Sequence, residues 1–338
     1  ALLSPLTPDR GRHLMWDFNI GQAVGLMMRT TPFIVLRLII YFGITLAYIL
    51  VTGVGAGLGW GVGFIAGEDG PPTFAAYGGL IGFGVTAAVL YFLREYILYM
   101  VKAAHIAVLV ELLDGGQIPD GQNQIAYGQK AVQARFAEAN VLFAVDQIVK
   151  GVLRAVMGLV RTLTSIIPIP GVQQFVGIIR AFLNIAVGFL DEVILCYNLK
   201  TKADNPWASA RTALILYGQN YQIMLKNAAW LTIIIYGLTF VLFLLLLAPA
   251  GAIALLFPGS LSAFGIVIAL LLAWSLKSAL LEPLAITCMM QVYFPTVEGQ
   301  TPNPEWEQKL NDLSKKFREM GEKAANWVGA RTASNPNI

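Results

Sequence analysis

The chain has 338 residues, 57% of them hydrophobic and only 13% charged, whereas ordinary soluble domains carry roughly a quarter charged residues. With a mean hydropathy of +0.65, that composition excludes a water-soluble enzyme and predicts an integral membrane protein. A net charge of +3 leaves no footprint for nucleic acid, and 2 cysteines with 2 histidines supply neither a disulfide framework nor a Cys/His zinc site.

The N-terminus, Ala1 to Pro5, has no basic stretch ahead of an apolar run, so no cleavable signal peptide is expected. Residues 1–31 read as a cytoplasmic or interfacial segment. Within it, Trp16, Phe18, Ile20, Val24 and Met27 stand beside Asp17, Asn19 and Gln22, a mixed face that suits a lipid surface.

The membrane domain is placed at 32–298. A hydrocarbon core takes about 20 apolar residues per helix. Phe33–Ala66, Thr73–Leu93, Trp230–Phe257 and Ala263–Val292 meet that length easily. A less apolar pair, Asn140–Ile167 and Val172–Asn198, is joined by Ile167-Pro168-Ile169-Pro170-Gly171. Proline removes a helix donor and glycine relaxes the turn, so this is a helical hairpin. The fold expected is an all-α polytopic transmembrane helical bundle of about six spans, with four as the alternative, plus interfacial amphipathic helices.

The connections Gly67–Pro72, Pro168–Gly171 and Pro258–Ser260 contain no Lys or Arg, while the opposite side collects Arg29, Lys102, Lys130, Lys200, Lys226 and the basic tail. Positive residues are retained on the cytoplasmic side, so both termini are expected there, in a plasma or inner membrane. The same bias is compatible with four spans. Glu95–Leu113 reads as a continuation of the second span, within a cytoplasmic or interfacial insertion at 95–139. Ala208–Ala229 reads as one interfacial helix.

In the first span Gly53, Gly55, Gly57, Gly59, Gly61 and Gly63 form two interlaced rows. Each row lets a neighbouring backbone come close. At 299–338 a cytoplasmic amphipathic helix is expected. Trp306, Leu310, Leu313, Phe317, Met320, Ala324 and Trp327 follow 4-3 spacing, an a/d stripe. It fits either the membrane or the protein's own cytoplasmic face, or self-association.

No nucleophile elbow, zinc-protease motif or Walker loop is present, so an enzyme is not expected, nor a cofactor or metal. What remains is charge within the less apolar helices, which is costly inside a span and then marks function, and which otherwise snorkels from helices lying partly in the interface or forms structural ion pairs that hold an oligomer. Asp146, Lys150, Arg154 and Arg161 fall within about 80° of one another on a helix, and Arg180, Asn184 and Asp191 within about 40°. Folding at the proline turn brings Asp146 level with Asp191 and Glu192, with Lys150 in reach of the same carboxylates. Arg161 and Arg180 then need water, a headgroup phosphate or an anion. Lys277 and Glu282 add to the path from the last span, where Pro283 is expected to break the helix.

The run Asn198–Phe294 resembles the C-terminal part of the choline-transporter-like membrane proteins. The likeness is carried by Tyr217-Gly218-Gln219-Asn220-Tyr221 and Lys226-Asn227-Ala228, ahead of two long apolar helices. Gln219 stands where that family has a lysine, and the family has more spans and a large outer loop. The resemblance implies solute transport and transfers no binding residue.

The function expected is therefore a multi-pass transporter or channel for a small polar or charged solute. Its path would use Asp146, Lys150, Arg154, Arg161, Arg180, Asn184, Asp191, Glu192, Lys277 and Glu282. The alternative is a non-catalytic membrane scaffold or an oligomeric subunit of a larger membrane complex. Lipid handling at Arg161 and Arg180 is a third reading. Membrane lipid and further copies of the chain are the expected partners.

Overall fold

The computed structural model describes residues 15–67, 70–118, 123–135, 141, 143–153, 155, 190–254 and 264–327. The described elements are all helices: α1 (Ile20–Arg29), α2 (Thr31–Gly63), α3 (Gly70–Leu113), α4 (Gln124–Arg135), α5 (143–153), α6 (Leu190–Thr201), α7 (Pro206–Gln219), α8 (Tyr221–Ala254), α9 (Phe264–Leu276), α10 (Glu282–Val297), α11 (Pro304–Leu313) and α12 (Lys315–Ala325). A π turn, Lys277–Leu281, joins α9 to α10.

The protein is membrane-embedded. Among the described residues, four stretches are long and apolar enough to cross a bilayer: Thr31–Ala66, Gly70–Val89, Tyr221–Ala252 and Gly265–Val297. Their outer faces expose Ile39, Leu58, Ile65, Leu80 and Leu245, side chains that lipid would cover. The centre of the third and fourth expected spans, 156–189, lies outside the described residues, so only their flanks, α5 and α6, are seen.

α2 and α3 form an antiparallel hairpin whose closeness depends on glycine. A Cβ at Gly59 would sit 2.7 Å from the Phe74 carbonyl carbon, and one at Gly63 would sit 2.5 Å from Pro71 Cα. The other row is unused: at Gly53, Gly57 and Gly61 an added Cβ meets nothing within 4 Å. Of the two rows read from the sequence, one packs within the chain.

α2 has 33 residues and so runs about 50 Å, well beyond a hydrocarbon core of about 30 Å. The surplus length of the spans lies at the end away from the α2–α3 tip. There α3 continues unbroken to Leu113 and meets α1, α4, α6, α8 and α10 in the main core, with Phe33, Ile106, Leu109, Met224 and Tyr293 wholly buried. This end carries Lys102, Lys130, Lys200, Arg211 and Lys226 and is termed the basic end.

Helix boundaries follow local chemistry. Asn19, Asn205, Asn303 and Ser314 cap α1, α7, α11 and α12 with their side-chain oxygens, and proline occupies the first turn of α2, α7 and α11. Asn220 divides what the sequence presents as one helix over Ala208–Ala229. Its side chain donates to the Leu216 carbonyl at 2.8 Å, closing α7 and opening the long span α8.

At Pro283 the departure from α-helix is local and does not end the last span. Proline has no N–H and would crowd the carbonyl one turn back, and the chain answers with the wider π turn, where the Glu282 N–H bonds Lys277 O.

The 4-3 stripe of the tail is divided between two helices, because Ser314 leaves helical geometry at φ −136° and ψ 114° and caps α12. Leu310, Phe317 and Met320 are buried against Val149, Val152, Trp207, Ala210 and Leu214 of α5 and α7. The stripe therefore packs on the chain's own basic end except at Leu313, which is exposed while Ser314 is buried beside it. Phe317 is wholly buried and lies under the Arg211 guanidinium at 4.5 Å. Phe317→Ala removes about 3 kcal/mol or more of packing. Trypsin should then cut at Lys315 and Lys316 at least about tenfold faster, about 1.4 kcal/mol being one decade.

Candidate functional site

α2 places Arg37, Tyr41 and Thr45 on one face, at helical spacing, against α9 and the π turn. The pairing is a ladder. Thr45 Oγ1 and Ser275 Oγ lie 2.5 Å apart, the Tyr41 and Trp274 rings meet edge to face at 5.5 Å, and Arg37 Nη2 donates to Ser278 O at 2.8 Å. Below that rung sits Glu282. It receives Lys277 Nζ at 3.0 Å and Ser278 Oγ at 3.3 Å, and faces Arg37 Nη2 at 3.6 Å. The π turn has a local use here, since the extra residue brings Lys277 and Ser278 to the same carboxylate. Lys277 also lies over the Tyr236 ring at 5.4 Å.

Deeper into the basic end, Lys102 of α3 pairs with Glu192 of α6. Asp146 and Lys150, one turn apart on α5, pair at 2.7 Å. The pairs are not isolated. Lys102 and Arg37 both act on Glu282, Glu192 acts on Lys277, and Lys102 and Glu192 both act on Asp146. Arg37, Lys277 and Glu282 thus form one contact group, with Lys102–Glu192 and Asp146–Lys150 as two further pairs, four cations against three carboxylates drawn from α2, α3, α5, α6 and the π turn with α10. Beside Asp146, a cavity of about 10 Å³ is lined by Tyr99, Val149, Ile194 and Asn198, room for about one water.

The structure brings Asp146, Lys150, Glu192, Lys277 and Glu282 into this network. It differs from the expected pairing in one respect: Glu192 takes Lys102, and Lys150 stays with Asp146. Arg154, Arg161, Arg180 and Asn184 lie outside the described residues, as do the Asp191 side chain and the turn Pro168–Gly171. Sequence reasoning passed over Arg37 and treated Lys102 as interfacial. The signal for Arg37 was present, because it is the sole charge between Phe33 and Ala66 and such residues are functional candidates.

His105 is buried on the same face of α3 as Lys102, stacked on Phe33 at 4.9 Å, with Nε2 3.0 Å from Thr30 Oγ1. Thr30 Oγ1 donates to Leu26 or Met27 O, so His105 Nε2 carries the proton. Burial first, then the Arg37 charge, push its pKa well below the ordinary 6.5. The unfolded chain takes up that proton near pH 6.5 and the folded chain resists it. The folded protein therefore loses stability as pH falls below about 6.5, by at most about 1.4 kcal/mol per pH unit, and is indifferent above it. His105→Gln should flatten this dependence relative to wild type in thermal unfolding at pH 5 to 7.5.

The Tyr217–Tyr221 and Lys226–Ala228 runs have identifiable work. Gln219 and Asn220 bond Gln300, and Gln219 Oε1 accepts from Asn303 N at 2.9 Å. Tyr221 packs against Trp306. Lys226 Nζ pairs with Asp17 at 2.7 Å, while Asn227 both accepts from Asp17 N and donates to its carboxylate. These runs tie the C-terminal helices and the N-terminal segment to the base of α8. Among the described residues, no group of His, Cys, Asp and Glu is placed to hold a metal ion, and Cys196 and Cys288 are buried thiols.

Fold and site define a helical membrane protein with a buried charge network, of which Arg37, Lys277 and Glu282 lie within the first and last apolar stretches. Comparison with protein families, curated proteins and solved structures finds no match to this chain.

Proposed function

We propose that the chain is a multi-pass transporter or channel for a small polar or charged solute, with six spans and both termini cytoplasmic, and that the charge network is its cytoplasmic gate in a closed arrangement. The observation that carries this reading is the set of ion pairs from Arg37 to Lys150, contributed by several helices and buried or half-buried within and beside the apolar stretches. A packed domain does not need so many buried charges, and intramembrane ionisable chains are characteristic of solute and ion pathways. The water-sized cavity beside Asp146 fits a gate held shut by its own ion pairs. The likeness of Asn198–Phe294 to choline-transporter-like proteins points the same way.

The six-span count is supported by α5 and α6 both lying at the basic end. With the turn at Pro168–Gly171, two passes need the flanking helices as well, as in Asn140–Ile167 and Val172–Asn198, because 156–167 alone has 12 residues against a lower limit of about 17. Maleimide labelling of a cysteine at Pro170 tests it: access from outside is the expected result, and access from the cytosol alone leaves four spans. Flux in proteoliposomes tests the function. Loss of flux in Arg154→Ala or Asp191→Asn, with the fold retained, supports transport.

A second reading, a membrane scaffold or complex subunit, is favoured by the internal pairing of Glu192, Asp146 and Glu282. It gains if both substitutions leave flux intact but disperse an oligomer.

A further inference from the structure

At Arg37 both the charge and the hydrogen bonding are left open. The residue is 2% exposed. Its Nη2 is used by Ser278 O, but Nε and Nη1 are buried with no acceptor. A guanidinium cannot shed its proton inside a protein, and a buried donor without a partner costs more when it is charged.

The local charge has the same sign of imbalance. Arg37 and Lys277 share the single carboxylate of Glu282 in direct contact, while Lys102 and Glu192, which pair with each other beside them, offset one another. His105 adds no negative charge. Its neutral ring donates through Nε2 to Thr30, and Nδ1 has no partner. Two cations about one carboxylate, with two open guanidinium nitrogens in a closed interior, form a receptor for one negative charge. A headgroup phosphate cannot reach a side chain this enclosed, which restricts the occupant to a small, freely diffusing ion.

We propose that Arg37, backed by Lys277, binds a small monovalent anion between α2 and the π turn. The anion meets the open nitrogens and balances the second cation, so that the ladder from Thr45 to Glu282 closes with no net charge. This deepens the transport reading by naming the solute class and rests on it for the site's role. Binding itself is independent of flux.

The test uses the full chain in detergent, with thermal unfolding followed in sodium chloride and in sodium gluconate at equal ionic strength and pH. The expected result is a Tm that rises with chloride and levels off, with no rise in gluconate. In Lys277→Met, Glu282 neutralises Arg37 and the chloride response should vanish. In Glu282→Gln the response should grow. Arg37→Gln should abolish it, and Lys277→Met decides the matter if that variant does not fold.

Equal Tm in the two salts, or an undiminished chloride response in Lys277→Met, overturns the anion site. A chloride response without flux in proteoliposomes keeps the site and removes transport. Flux without a chloride response does the reverse.

Discussion

Gly59→Ala is expected to unfold the protein at markedly lower temperature or denaturant than wild type, whereas Gly57→Ala, two residues away, leaves both unchanged. The difference is steric and local. The new methyl at 59 would sit 2.7 Å from the Phe74 carbonyl carbon, an atom of the facing backbone, while the methyl at 57 meets nothing within 4 Å. A flexible side chain could swing aside, but a carbonyl in a continuous helix moves only with the helix. The α2–α3 pair has to part, and Gly55 against Gly78 and Gly63 against Pro71 lose contact with it. Overpacking of this kind costs about 1–3 kcal/mol or more, while a substitution on an open face stays within about 0.5 kcal/mol. Unfolding of both variants in one detergent provides the measurement. Equal stability would show that the hairpin is looser than described.

Glu282→Ala should cost as much or more. It leaves Arg37 and Lys277 facing each other with no carboxylate between them, and frees Ser278 Oγ and Lys277 Nζ of their acceptor. Removing one member of a buried ion pair costs about 3–5 kcal/mol, because the remaining charge stays buried. A double substitution, Glu282→Ala with Lys277→Met, should recover part of the loss by removing one of the two opposed cations. A double mutant no more stable than Glu282→Ala alone would mean that the two charges do not act on each other.

The long spans were legible in the sequence because hydropathy over about 20 residues needs no knowledge of partners. Their ends were less so. α8 starts at Tyr221, nine residues ahead of the apolar run at Trp230, because what divides it from α7 is a side-chain bond from Asn220 that hydropathy does not register. The tail shows the same limit. Spacing identified the face that is buried, including Phe317 and Met320, but a polar residue at position 314 reads as an ordinary heptad position until its own backbone turns.

The candidate site was legible residue by residue and not pair by pair. Asp146, Lys150, Glu192, Lys277 and Glu282 stood out as charges in apolar surroundings. Which cation meets Glu192 depends on α3 lying against α6, a contact between residues 102 and 192 that no local spacing encodes. Arg37 escaped notice for a related reason. It is one charge on a long apolar helix and belongs to no stripe of its own, and its partners lie more than two hundred residues away on the π turn and α10. The residues from Tyr217 to Asn227 fasten Asp17 and the 300–306 segment to the base of α8, a joint made by side-chain pairs that no local spacing encodes.

α3 is a single rod of 44 residues, about 66 Å long, and roughly half of it stands outside the hydrocarbon. Lys102 and His105 sit on the half beyond the apolar stretch, so one unbroken helix joins the lipid-facing Gly70–Val89 to the Lys102–Glu192 contact.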